Sequence, residues 1–133
     1  MQTKTQKLNL FKKTGLYPVL CPEFARERSL IFILNEIAES GAEIVQLRMK
    51  NNSSKEFFKT AEKFREITSK HKMLLIINDR ADIALACNAD GVHLGQDDLP
   101  PETAAKFAKE LIIGVSTHSP EEALKAEKME RII

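Results

Sequence analysis

The sequence predicts a parallel α/β protein built from strand–helix units. Three observations predict it. Short β-rich runs alternate with stretches of helical period five times along 133 residues. The runs are apolar at nearly every position, as strands buried on both faces are. Polar residues collect where the runs end. Repeated βα units require a parallel sheet with right-handed crossovers. Two closures satisfy this pattern, an open doubly wound sheet or a (β/α)₈ barrel, and both gather active-site residues at the carboxyl ends of the strands.

The strands are expected over 16–20, 44–50, 74–77, 91–94 and 111–115. The first helix carries an apolar stripe of Leu30, Ile33, Leu34, Ile37 and Ala38, with Gly41 at the position of a C-terminal cap. The second carries Phe57, Ala61, Phe64 and Ile67, opened by Ser53 with Glu56 three residues on, a capping box. A third follows Asn78-Asp79-Arg80, and Pro100-Pro101 opens a fourth. Ser119-Pro120-Glu121-Glu122 opens the last, with Ser as cap and Pro at the first helical position. Met129-Glu130-Arg131-Ile132-Ile133 reads as the start of a sixth strand.

Size and composition narrow the function. The length is that of one domain, taken as 1–133. Apolar residues at 43% are enough for a core, and 20 basic against 19 acidic residues leave a net charge of +1. That balance gives no support to a nucleic-acid or membrane-surface partner. No apolar stretch approaches the roughly 18 residues of a membrane span. The first thirteen residues lack the apolar centre of a secretory signal, so the expected compartment is the cytoplasm. Cys21 and Cys87 form no C-x-x-C pattern and read as buried, inert thiols.

The chemistry-bearing residues lie at the strand ends. Gln46, Arg48 and Lys50 alternate with Val45, Leu47 and Met49, so an extended segment points one amide and two cations to a common face. Arg offers a bidentate fork and Lys a point charge, and both suit the oxygens of a diphosphate. Asp79 and one of Asp97 or Asp98 close the next two strands. Ends of adjacent parallel strands lie about 5 Å apart, close enough for two carboxylates to share Mg²⁺, which completes its octahedron with water and substrate phosphate oxygens. The plain alternatives are an N-cap at Asn78-Asp79 and a polar turn at Asp97-Asp98. Ser116 and His118 follow Gly114, but no G-x-S-x-G elbow surrounds the serine. His93 reads as an interior histidine. No Walker A loop, zinc motif or G-x-G-x-x-G fingerprint is present.

Four strings in register, Gln46-Leu47-Arg48-Met49-Lys50, Ile77-Asn78-Asp79-Arg80-Ala81-Asp82-Ile83-Ala84, Ala89-Asp90-Gly91-Val92-His93-Leu94-Gly95-Gln96-Asp97-Asp98-Leu99-Pro100 and Ile113-Gly114-Val115-Ser116-Thr117-His118, closely resemble the thiamine-phosphate synthase family. The resemblance runs from Leu16 onward. It implies a TIM (β/α)₈ barrel, of which about the first five βα units and the start of strand six are present. It implies an Mg²⁺-dependent transferase that joins 4-amino-5-hydroxymethyl-2-methylpyrimidine diphosphate to a thiazole phosphate, giving thiamine phosphate and diphosphate. By the same resemblance, Gln46, Leu47, Arg48, Met49 and Lys50 contact the pyrimidine diphosphate, with Arg48 and Lys50 on its diphosphate. Asn78 adds a contact, Asp79 and Asp98 hold Mg²⁺, and Ser116 lies near the pyrimidine. Arg48, Lys50 and Ser116 are then the catalytic residues. Family members ionise the carbon–oxygen bond first, which agrees with the missing nucleophile motif.

Family members continue past Ile133 into the loops that hold the thiazole phosphate. The sequence therefore carries three expectations. The first is a synthase whose short chain is truncated or pairs with another copy through open barrel edges, as a homo-oligomer. The second is a thiazole tautomerase-like isomerase, against which the Asp79, Asp98 and Arg48, Lys50 pairs argue. The third is a non-catalytic half-barrel that binds a phosphorylated ligand.

Overall fold

The computed structural model describes residues 2–129. Five strands, β1 (Val19–Leu20), β2 (Ile44–Leu47), β3 (Leu74–Asn78), β4 (Gly91–Leu94) and β5 (Ile112–Val115), form one parallel sheet in sequence order. The helices are α1 (Lys4–Lys13), α2 (Leu30–Glu39), α3 (Ser54–Lys70), α4 (Ala81–Ala86), α5 (Pro101–Phe107) and α6 (Pro120–Glu127), with a 3-10 turn at Pro22–Phe24. The strand order never reverses, so these five strands contain no switch point of the doubly wound kind.

The helices cover the two faces of the sheet unequally. The apolar sides of α2, α3, α4 and α5 all join one cluster with Val45, Leu47, Leu75, Ile77, Val92, Leu94 and Ile113. Alternation sends Ile44, Leu74 and Ile76 to the opposite face, where Leu10 and Phe11 of α1 pack on them together with Tyr17. Among the described residues, the face that carries Gln46 and His93 is therefore covered by α1 toward the amino ends of the strands. Fully buried Phe64 and Leu34 anchor the helix-side core. Gly91 lets the strands close up on the other face, since a Cβ there would lie 2.6 Å from the Ile112 carbonyl and 2.7 Å from Ile76 Cδ1.

The strands at the edge of the reading are shorter than expected. β1 holds two residues rather than five, because Pro18 has no N–H to give the ladder, although its carbonyl still accepts from Gln46 N at 2.9 Å. β2 stops at Leu47 rather than Lys50, and only Arg48 N continues the pairing, to Leu20 O at 2.9 Å. α1 was not anticipated, yet its signal is in the sequence: Thr3 and Gln6 form a capping box. The capping boxes or caps expected at Ser53 and Ser119 are present. Of the expected start of a sixth strand, 129–133, Met129 N still bonds back to Ala126 O and residues 130–133 lie outside the described residues. No helix among the described residues is long and apolar enough to cross a membrane.

Candidate active site at the carboxyl ends of the strands

The sequence-chosen residues come from four consecutive strand ends. Register aligns Gln46 with Ile76, and Asn78 with His93 and Gly114. Arg48, two residues past Gln46, therefore falls in the row of Asn78, His93 and Gly114, and Ser116 falls one step further out.

Asp79 is the pivot. Its backbone is left-handed, with φ of 65°, and a tight turn around it carries a hydrogen bond from Arg80 N to Asn78 O at 2.8 Å. Asp79 N donates to His93 O at 2.7 Å, the last tie to β4. A non-glycine residue in this region is uncommon, and Asp is among the few that tolerate it. The turn ends the strand and brings the Asp79 carboxylate to within 3.5 Å of Lys50 Nζ and within hydrogen-bond reach of the Asp98 carboxylate. Asp98 is held from its own loop, where its Oδ2 accepts from Gly95 N at 2.7 Å. Asp97 is exposed, so the structure turns Asp98, of the two, toward Asp79.

The electrostatics follow from that geometry. Desolvation, then the neighbouring Asp98 carboxylate, push Asp79 above its ordinary value of 3.8, while Lys50 partly offsets them. Two like charges held together with one lysine are short of positive charge. The N-cap alternative for Asp79 fails: α4 is capped at Arg80, with no side-chain cap bond. Arg80 is engaged elsewhere, by Asp82 at 2.7 Å and by Ser54 at 2.9 Å.

Around this centre, Gln46 is buried and donates from Nε2 to Tyr17 Oη at 2.9 Å. Burial of the Tyr17 hydroxyl pushes it up to about 12, so it stays protonated. Arg48 is half-buried with Nη1 3.9 Å from Cys21 Sγ. Asn78 is buried at the end of β3. Leu47 and Met49 put their side chains into the helix-side core, so a ligand would reach them only through the backbone. Ser116 follows β5, but its partner is not His118, which turns to Glu122 at 3.7 Å. Ser116 Oγ lies 2.7 Å from His93 Nε2 instead. Sequence reasoning missed that pairing, because the two residues meet only through the β4–β5 register.

Among the described residues no group of three or more His, Cys, Asp or Glu side chains stands ready to hold a metal. A cation at this end would have two protein carboxylates and room for ligand oxygens, a donor set of the kind Mg²⁺ uses with phosphates. The crowded Asp79–Asp98 pair fits such an ion.

A family model described as thiamine monophosphate synthase matches residues 16–131. The chain belongs to this family. Thiamine-phosphate synthase from Clostridium acetobutylicum is 49% identical over 114 residues, covering 85% of this chain and 54% of its own. The synthase from Dictyoglomus thermophilum is 40% identical over 124 residues, covering 92% of this chain and 56% of its own. The thiamine phosphate pyrophosphorylase structure from Pyrococcus furiosus superposes with a TM-score of 0.77 at 39% identity, over 84% of this chain and 55% of that one. The chain spans about half the length of the curated relatives it matches.

Proposed function

We propose that this chain carries the diphosphate-and-metal half of a thiamine-phosphate synthase site within a (β/α)₈ barrel. The observation that carries the reading is the meeting of Lys50, Asp79 and Asp98, from three successive strand ends, beside the row that holds Arg48 and Asn78. The substrates are the aminopyrimidine methyl diphosphate and, for the reaction to finish, a thiazole phosphate. Family membership and the unreversed strand order support this reading.

In the reaction, the bond between the pyrimidine methylene carbon and the diphosphate oxygen breaks, and its electron pair leaves on the diphosphate. The cation left on the pyrimidine is stabilised by the ring amino group until the thiazole nitrogen attacks the same carbon. Mg²⁺ held by Asp79 and Asp98 would supply charge neutralisation on the leaving diphosphate. Arg48 and Lys50 would take the remaining oxygens, and Asn78 would donate an amide hydrogen to one of them. Preorganised donors of this kind are each worth ~10²–10³ in rate. Gln46, fixed by Tyr17, and Ser116 would orient the pyrimidine ring. No protein nucleophile is required, which agrees with the absence of an elbow motif around Ser116.

A tautomerase needs no cluster of two carboxylates facing a lysine, so that geometry favours the synthase. Calorimetric titration with the pyrimidine diphosphate tests the reading. Binding that requires Mg²⁺ and disappears in Asp79→Asn supports it; equal binding with and without Mg²⁺, or none, overturns it.

A further inference from the structure

Among the described residues, His93 is a polar side chain on the ligand-facing side of the sheet that the proposed chemistry leaves without a task. It lies on β4 opposite Gly114 of β5. Its neighbours Val92 and Leu94 point into the helix-side core, so its ring stands on the other face. The ring does not project straight up. It lies across β5 over Gly114, and Nε2 comes to 2.7 Å from Ser116 Oγ. A Cβ at Gly114 would fall 2.5 Å from His93 Nδ1 and 3.4 Å from Cε1, so the tilt exists only because that residue is glycine. Ser116 is gripped a second time by Gln96, whose Nε2 donates to its carbonyl at 2.7 Å.

We propose that His93 is a positioning residue: lying over Gly114, it fixes the Ser116 hydroxyl so that one defined oxygen face is presented to the ligand ring. The assignment rests on the synthase reading of the site. Ser116 follows the strand end, and a serine hydroxyl rotates freely unless a partner chooses its orientation. His93 makes that choice and touches no ligand itself. Burial lowers the affinity of the imidazole for a proton, with Asp98 opposing, which agrees with a neutral ring in this role.

The amides of Gln and Asn separate this role from simple filling of space. A Gln side chain reaches the position of Nε2, and an Asn side chain reaches only that of Nδ1. His93→Gln should bind the pyrimidine diphosphate with Mg²⁺ within about threefold of the parent, and His93→Asn about tenfold or more weakly. Gly114→Ala should behave like His93→Asn, because its methyl displaces the ring. In a double-mutant cycle, His93→Asn should add nothing to Ser116→Ala, since residues acting through one contact are not additive. Melting curves identify any variant that has unfolded. For those, the nitrogen shifts of the His93 ring in the parent and in Ser116→Ala report the same contact: a shift at Nε2 alone supports the pairing. Equal loss in the Gln and Asn variants, full additivity with Ser116→Ala, or unchanged ring shifts would overturn it. A parent protein that fails to bind the diphosphate with Mg²⁺ overturns the synthase reading itself, and the ligand part of this assignment with it. Binding by the parent with no effect of His93→Asn overturns this assignment alone.

Discussion

Asp79 and Asp90 sit at opposite ends of the same two strands and use a carboxylate in opposite ways. Asp90 precedes β4 at the amino end, with its side chain 8% exposed. It is completely answered: Lys7 Nζ lies 2.7 Å away, Arg65 Nη1 2.8 Å away, and Leu75 N donates at 2.8 Å. Arg65 in turn donates to the carbonyls of Asn88 and Met73. One acid there ties α1, α3 and β3 to the foot of β4. Asp79, at the carboxyl end, is left-handed in backbone, crowded by Asp98, and has one lysine at 3.5 Å. The foot of the sheet commits its charges to the fold, whereas the rim sets one lysine against a crowded pair of carboxylates. Such local conflict is a mark of functional sites.

The contrast can be broken in several places. The largest expected effect is at the foot. Asp90→Ala leaves Arg65 and Lys7 without their shared carboxylate, and breaking a buried pair this way costs ~3–5 kcal/mol. Urea denaturation should show it as a lower midpoint with an unchanged slope. At the rim, loss should appear in binding and not in stability. Arg48→Ala and Lys50→Ala each remove a charge-assisted contact worth ~1.5–3 kcal/mol, so calorimetry should record diphosphate binding about 10- to 100-fold weaker at a similar melting temperature.

Asp79→Asn sharpens the comparison further. It should melt no lower than the parent while losing Mg²⁺-dependent binding, because it relieves the repulsion and Asn also accepts a left-handed backbone. The pH dependence has a definite sign. A carboxyl whose value is raised on folding is easier to accommodate protonated, so its contribution is fully present below 3.8 and is lost as pH rises through the raised value. Melting at increasing pH should show that decline in the parent and a flatter profile in Asp79→Asn. The smallest effect is expected at Lys7→Ala, about 1 kcal/mol or less, since Arg65 and Leu75 N still hold Asp90; proteolysis near α1 would report the loosened helix.

The fold was legible because the strands are short apolar runs and the helices carry plain caps, as at Ser53 and Ser119. Its two-sidedness was not. Apolar strands look alike whether helices cover both faces or whether, as here, one helix covers part of the second. The ends of the strands were hard to read because Arg48, Met49 and Lys50 keep the alternation of a strand after the ladder has stopped. α1 was hidden by a lysine-rich composition, although Thr3 and Gln6 announce it.

At the site, Gln46, Arg48, Lys50, Asn78, Asp79, Asp98 and Ser116 could be named because their polarity is anomalous at the ends of apolar runs. The residue pattern left Asp97 and Asp98 open, and only the family resemblance chose Asp98, whose Oδ2 the structure turns back on Gly95 N. The His93–Ser116 contact, 23 residues apart in sequence, needed the β4–β5 register and the bare Cα of Gly114. The Asp90 network was invisible for the same reason, since Lys7 and Arg65 arrive from two different helices.

The central claim is that the rim carboxylates, not the foot carboxylate, recruit the metal. Adding substoichiometric Mn²⁺ with inorganic diphosphate to the isotope-labelled protein tests it most directly. The account predicts that paramagnetic broadening is strongest at the amides of residues 78–80 and 95–98, with those around Asp90 unaffected. Broadening centred on Asp90, or spread evenly over the acidic surface, would contradict it.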